Sequence, residues 1–415
     1  MDIPNGIKRK QNLIIIADYG YIDGGAHKVA INTAKIMSNH YNVYYYTIQS
    51  KEGQFSQELL DACIQIITPY EHYRKNLFRQ VYDLKVKKHL SQFLKGFSKY
   101  ETIIHIHTWG RRLSPSAIDV CGKLGFSTLI TLHDYLSVCP NGALFNYRNL
   151  KTCGYTPLSK QCITCNCIEE NYIVKLGKTI RFIFQSHAIK KWGNIRFAFV
   201  SSFSEVIMKK TNQSLFRNRK TYLLPNPIDD NLTKNNKRVQ CEKNECALYI
   251  GNLEKHKGID VFCEAVSQLN IKSYVLGGGP RLYELKEKYP KVIFCGFVTQ
   301  SDIIKYFDIT RLFIFPSLCY ETLGLSLVEA MTKGIPVLVA SNTAASSFVE
   351  NYKNGIIFQN GNIADLKEKI EILYQDDQTV ERISKNIFLG NLDMVISQHQ
   401  YEQQLNKIYN DLLIS

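Results

Sequence analysis

The sequence predicts an α/β protein of two doubly wound domains, each a parallel sheet covered by helices on both faces. Three observations carry this. The chain has 415 residues, too long for one core and suited to two domains of about 200 residues each. Short apolar runs followed by helix-length amphipathic stretches recur in both halves, and continuously apolar strands separated by helices belong to parallel sheets buried on both faces. Between the halves, Leu224-Pro225-Asn226-Pro227-Ile228-Asp229 holds two prolines two apart. They exclude a helix interior and a central strand and leave an extended connector.

Taken in chain order, the basic start ends in Lys8-Arg9-Lys10, and the apolar run 13–17 behind it breaks at Asp18. That is the pattern of a buried strand and not of a secretion signal. Runs 102–106 and 127–132 are the other strands expected in the first half. In the second half the expected strands are 247–250, 272–276, 292–294, 312–315 and 336–340, after a polar stretch over 229–245. Residues 399–413 put Leu405, Ile408, Tyr409 and Leu412 at helical spacing and form a terminal helix. The expected division is 1–224 and 225–395, with 396–415 packing back on the first domain.

Charged residues make up 21% of the chain and hydrophobic ones 45%, an ordinary soluble composition. No apolar run approaches the roughly 20 residues that span a bilayer. Twelve cysteines without a secretion signal point to a reducing compartment, so a cytoplasmic location is expected. The net charge of +14 is unevenly placed: residues 1–225 hold 31 Lys/Arg and 14 Asp/Glu (+17), and the remaining 190 hold 20 and 23 (−3). A basic first half suits an anionic partner, such as a membrane surface or a phosphorylated acceptor.

The densest chemistry lies in the block from Phe315 to Val337. A strand ends at Pro316, a loop carries Glu321 and Gly324, a helix carries Glu329, and the next strand opens at Pro336. Gly324 lets backbone approach a ligand, and the helix start beyond it offers unpaired N–H groups and the positive dipole end. A diphosphate or a sugar hydroxyl suits that position. Upstream, Gly251-Asn252 and Lys257-Gly258 follow a strand, Gly277-Gly278-Gly279-Pro280 follows the next, and Gly296-Phe297-Val298 the third. Glycines at successive strand ends of one sheet outline a ligand crevice. In the first half, Asp23-Gly24-Gly25-Ala26-His27 links the first strand to a helix, and His133-Asp134 ends another strand.

These residues resemble the retaining glycosyltransferases of family 4, whose fold is called GT-B. The hallmark Glu–x7–Glu is matched by Glu321 and Glu329, and the likeness is best over 247–360. The resemblance implies that Glu321 holds donor-sugar hydroxyls and Glu329 the nucleotide ribose, with the backbone of Thr322, Leu323, Gly324 and Leu325 beside the donor. It implies that Lys257 contacts the donor phosphates near Gly251 and Gly278, and that Phe297 and Val298 read the nucleobase. Gly25 would close over the donor phosphates or the acceptor, a plain turn being the alternative. His133 would approach the transferred sugar, so Lys257, Glu321 and His133 are the candidate catalytic residues. Asn252 departs from the family pattern, which has arginine there; an amide cannot supply the bidentate positive fork.

Five cysteines, Cys139, Cys153, Cys162, Cys165 and Cys167, fall within 29 residues. The tight Cys162–Cys165 spacing, with Cys139 and Cys153, suits a structural zinc site; reduced thiols packed in a loop are the alternative. Downstream, Lys175, Lys178, Arg181, Lys190, Lys191 and Arg196 alternate with Ile, Phe and Trp192, a stretch suited to lipid headgroups or to packing on its own domain. The expectation is therefore a transferase moving a hexose-type sugar from a nucleotide diphosphate sugar onto a saccharide or polyprenyl-diphosphate-linked acceptor in surface-polysaccharide assembly. No catalytic cofactor and no nucleic-acid partner are expected. A nucleotide-sugar epimerase on the same fold is the first alternative, and it would convert donor without acceptor. A zinc-containing nucleic-acid binder is the second, and it would bind arbitrary DNA or RNA in a salt-sensitive way.

Overall fold

The computed structural model describes residues 10–48, 55–70, 73, 76–233, 237–390 and 394–414; Lys8 and Arg9 lie outside them. Among these residues the strands form two parallel sheets. The first holds β1 (Asn12–Tyr19), β2 (Asn42–Ile48), β3 (Gln65–Ile67), β4 (Thr102–Ile106), β5 (Ser127–Leu132), β8 (Ile195–Phe199) and β9 (Thr221–Leu223) in the order β3-β2-β1-β4-β5-β8-β9. Between β5 and β8 runs a small antiparallel hairpin, β6 (Phe145–Asn146) with β7 (Lys151–Thr152). The second holds β10 (Cys246–Ile250), β11 (Ser273–Leu276), β12 (Ile293–Gly296), β13 (Thr310–Phe315), β14 (Val337–Ala340) and β15 (Ile356–Phe358) in the order β12-β11-β10-β13-β14-β15.

Each order reverses once. In the first sheet β1 pairs with both β2 and β4, placing Ile15 opposite Tyr45 and His105. In the second, β10 pairs with both β11 and β13. Beyond such reversal points the following loops diverge to opposite faces and leave a crevice at the carboxyl ends of the strands. The two crevices face each other.

The apolar strands become the core as their composition requires: Leu13 to Ala17, Ile103, Ile104, Leu312 to Ile314 and Val337 to Ala340 are buried. The expected strands lie within observed ones or within one or two residues of them. The helix Gln398–Ile414 packs on the first sheet, where Tyr401, Leu405, Ile408, Tyr409 and Leu412 join the cluster of Leu13, Ile15 and Val29. Among its polar ties, Tyr401 Oη meets Thr33 Oγ1 at 2.9 Å, Tyr409 Oη meets the buried His105 Nδ1 at 2.6 Å, and Ser127 Oγ donates to the Leu412 carbonyl at 2.8 Å. The chain thus crosses between sheets twice, and the crossings touch. Pro227 bridges to Ile396, and the Ile228 N–H donates to the Ile396 carbonyl at 3.1 Å.

Candidate functional site

On the second sheet the site is built around Glu321. β13 ends at Phe315, and the loop behind it turns through Glu321 at φ +52° and Gly324 at φ +87° into the helix Leu325–Thr332. A non-glycine residue in the left-handed region costs of order 1 kcal/mol and must be held there by its surroundings. What holds it is Lys257, whose Nζ donates to Glu321 Oε1 at 2.6 Å, and Ser317, whose hydroxyl donates to the same oxygen at 2.8 Å. Lys257 comes from the turn Lys255–Lys257, closed by Gly258 at φ +72°. A Cβ on Gly258 would stand 1.8 Å from the Pro316 carbonyl oxygen, so only glycine lets the two loops meet.

Burial opposes both charges, but each partner outweighs it. The Glu321 carboxyl is held below its ordinary range by the Lys257 ammonium, and the Lys257 ammonium is held above its range by Glu321. The result is a charged pair at the floor of a cleft.

On the first sheet Asp18, at the end of β1, accepts from the backbone N–H groups of Arg111, Arg112 and Leu113 at 2.8–2.9 Å. This carboxylate fixes the loop after β4 and with it Arg111, whose guanidinium pairs with Asp23 at 2.9 Å. His133 ends β5, and its Nε2 meets His107 Nδ1 at 2.9 Å with the rings stacked. Burial drives His133 and His105 down to about 3 and His107 well below the usual histidine value, with the neighbouring histidines adding to the fall. His133 therefore meets the cleft as a neutral imidazole that can share one proton with His107.

The halves meet through hydrogen bonds. Tyr135 Oη donates to the Glu321 carbonyl at 2.6 Å, Thr322 Oγ1 donates to the His133 carbonyl at 2.8 Å, and Lys28 Nζ reaches Glu329 Oε1 at 3.2 Å. Between them lies a cleft of about 980 Å³, large enough for a small-molecule ligand.

Of the residues expected at a donor site, Gly25, His133, Asn252, Lys257, Glu321 and Thr322 line this cleft. Gly251 and Gly278 lie at the ends of β10 and β11, tied by Gly251 N–H to Leu276 O and Leu253 N–H to Gly278 O. Leu323 is buried against Val200 and Ile228. Leu325 sits where a Cβ on Gly25 would meet it at 3.2 Å, and Glu329 points to Lys28. Phe297 is 81% exposed beside Val298, outside the cleft lining. Asp18, Arg111 and Tyr135 escaped the sequence reading as site residues. The signal that could have found the first two is a carboxylate at one strand end and a basic pair just beyond another, on either side of the topological reversal.

The zinc expectation is not met. Cys139, Cys153, Cys162, Cys165 and Cys167 do line one small cavity, yet among the described residues no group of three or more His, Cys, Asp or Glu side chains is disposed to hold a metal ion. Three of the five sulfurs make hydrogen bonds of their own. Cys139 donates to Asn141 Oδ1 at 3.0 Å, Cys167 accepts from Asn141 Nδ2, and Cys165 accepts from Asn146 Nδ2. Burial pushes the Cys139 thiol up to about 11 and raises that of Cys153. The basic stretch is also redistributed. Lys175 and Arg181 point inward, and Arg181 donates to the carbonyls of Gly110 and Pro140 at 2.7 and 2.9 Å.

Fold and cleft define the class, the two-domain GT-B architecture. It is shared with a sucrose-phosphate synthase from Thermosynechococcus elongatus (TM-score 0.71, 16% identity, 98% of this chain and 100% of that one). It is shared also with Anabaena HepE in complex with UDP (TM-score 0.66, 18% identity, 97% and 100%). Residues 230–388 match the family model described as "Glycosyl transferases group 1". Among curated proteins, the α-monoglucosyldiacylglycerol synthase of Acholeplasma laidlawii is 28% identical over 178 residues, 40% of this chain and 44% of that protein. The N,N'-diacetylbacillosaminyl-diphospho-undecaprenol α-1,3-N-acetylgalactosaminyltransferase of Campylobacter jejuni is 26% identical over 160 residues, 36% and 41%. The chain thus spans under half the length of these relatives. The enzyme class they indicate is glycosyltransferase.

Proposed function

We infer that this chain is a retaining glycosyltransferase that moves a hexose-type sugar from a nucleotide diphosphate sugar to a saccharide or polyprenyl-diphosphate-linked acceptor in polysaccharide or glycolipid synthesis. The observation that carries the reading is the charged Lys257–Glu321 pair at the mouth of a helix N-terminus, in a cleft between two facing parallel sheets. The domain division is 1–224 on the acceptor side and 225–395 on the donor side, with 396–415 returning to the first. The work is at the inner face of a membrane, in the cytoplasm.

In this reading Glu321 accepts hydrogen bonds from donor-sugar hydroxyls, and Lys257 meets the diphosphate. As the bond from the anomeric carbon to the diphosphate breaks, negative charge grows on the leaving oxygens. A cation already fixed by Glu321 and the N–H groups opening the helix Leu325–Thr332 oppose that charge without reorganising. Asn252 contributes an amide where a second cation is usual in the family, and Arg111 is one of the cleft cations from the opposite domain. Glu329 exchanges Lys28 for ribose hydroxyls. Gly25 admits the donor close to backbone, and neutral His133 accepts or donates a hydrogen bond to the transferred sugar. Gly251, Gly278, Phe297, Val298 and the backbone from Thr322 to Leu325 frame the nucleotide.

The test is thermal stabilisation by a panel of UDP-, GDP-, ADP- and dTDP-sugars, beside Glu329→Ala. A bound ligand raises apparent stability by mass action. A shift for one nucleotide class, lost in the variant, is expected; no shift with any donor would overturn the reading.

A further inference from the structure

The helix Tyr172–Lys191 has two working faces. Val174, Gly177, Lys178 and Arg181 line the cleft. On another face Ile173, Leu176, Ile180, Ile183 and Phe184 form a helical stripe of exposed large apolar side chains, Ile173 at 70%. The stripe ends in exposed His187, Lys190 and Lys191. It is widened by the short helix Leu77–Val81, which packs against it and projects Phe78, 83% exposed. That packing depends on Gly177: a Cβ there would stand 2.9 Å from Leu77 Cδ1. Tyr82 then pairs with Phe184 at 5.3 Å between ring centres, bringing exposed Leu84, Lys85 and Lys88 alongside.

Scattered exposed apolar residues need no explanation, but a contiguous stripe flanked by cations does. The charge pattern selects its partner. No Asp or Glu occurs between Glu170 and Glu205, and the first 225 residues carry a net +17 (31 basic, 14 acidic). An apolar helical face ending in lysines, with lysines beside it, fits the boundary of a bilayer: the apolar chains enter below the headgroups and the cations meet lipid phosphates.

We propose that the face made by Ile173, Leu176, Ile180, Ile183, Phe184 and Phe78 docks this protein on an anionic lipid surface and sets the mouth of the cleft at that surface. It deepens the proposed function, since an acceptor carried on a lipid then enters past the same helix that lines the cleft, but it rests on that reading only for its purpose. The wetted apolar face has a use before any sugar is bound.

The experiment is co-sedimentation of the full chain with vesicles of phosphatidylcholine alone and of phosphatidylcholine with about one third phosphatidylglycerol, at low and high salt. The native chain is expected on the anionic vesicles, with binding weakened by salt. Ile173→Glu/Ile180→Glu is expected to weaken it at least about tenfold at any salt. Lys190→Glu/Lys191→Glu is expected to weaken it mainly at low salt. Phe78→Ser, a change at an exposed position, repeats the first test on a second helix.

Failure of the native chain to bind anionic vesicles, or equal binding by the variants, overturns the proposal. So does sedimentation velocity showing a native dimer that Ile173→Glu/Ile180→Glu dissociates, because the face then serves a second copy of the chain. Donor-induced stabilisation is read in the same samples. Vesicle binding without any donor response leaves the docking face standing and refutes the transferase reading; the converse refutes only the docking face.

Discussion

Glu321 occupies a left-handed backbone position and neutralises a half-buried ammonium, so its replacements separate two roles. Glu321→Gln keeps a side chain of the same shape but leaves Lys257 charged and unneutralised. Melting temperature is expected to fall, by an amount equivalent to about 1–2 kcal/mol, because the half-buried cation is partly screened by water. Sugar transfer is expected to fall by at least about 100-fold. Melting curves beside an assay of product formation check both, and a fully active variant would place the donor elsewhere. The histidines make a separate prediction. His105 and His133, at about 3, and His256, at about 4, titrate far below the unfolded value of 6.5 because burial disfavours the cation. A base whose folded pKa is depressed stays neutral while the unfolded chain takes up protons, so stability is full above 6.5 and is lost as pH falls below it. Each such histidine contributes up to about 1.4 kcal/mol per pH unit in that window. Glu321 adds loss in the same direction below its ordinary carboxylate range. Melting temperature is expected to drop between pH 7 and pH 5, and His105→Gln to flatten the slope. No pH dependence over that range would show that these imidazoles are accessible to protons in the native state.

Helices and strands were legible in proportion to how apolar they are. Strands β1, β4, β5, β10 and β13 are each built around Leu, Ile or Phe whose burial draws them into the sheets. Strand β2 was not anticipated, because Asn42-Val43-Tyr44-Tyr45-Tyr46-Thr47-Ile48 looks half polar; its tyrosines are buried or half-buried, with Tyr45 Oη donating to the Tyr19 carbonyl. The loop carrying Glu321 and Gly324 was legible from its glycines and carboxylates, but the partners that position it were not. Tyr135 and Lys28 act from elements 186 and 301 residues away in sequence, and nothing local marks them. Spacing alone cannot distinguish thiolates around a metal from thiols such as Cys139, Cys165 and Cys167, which bond to Asn141 and Asn146. At this scale Gly258→Ala is expected to be severe, since its Cβ would collide with the Pro316 carbonyl and withdraw Lys257 from Glu321. Loss of donor-induced stabilisation, with a melting temperature reduced by several degrees, checks it. The helix Gln398–Ile414 makes the complementary case: Leu405→Ala is expected to cost about 3 kcal/mol, read by denaturant unfolding.

Across the whole molecule, the two halves are held around a wide cleft by polar contacts at the candidate site and by the small apolar cluster of Val200, Ile228, Leu323 and Val328. Lys28–Glu329 is the ion pair among them. Lys28→Ala is expected to leave both sheets folded and to widen the distribution of shapes, seen as a larger radius of gyration in solution scattering that donor binding reverses. An unchanged scattering profile would mean that Tyr135, Thr322, the apolar cluster around Leu323 and the connectors hold the halves without it.

The paired crossings at Pro227 and Ile396 have a further consequence. Every strand of the second sheet lies between them in sequence, and they are hydrogen-bonded neighbours, so that sheet enters and leaves the first through a single narrow stem. Such a stem makes the second sheet an exchangeable cartridge: evolution could replace it, and with it the identity of the sugar handled, without disturbing the surface that receives the acceptor. A chimera joined at these two positions tests how far that independence goes.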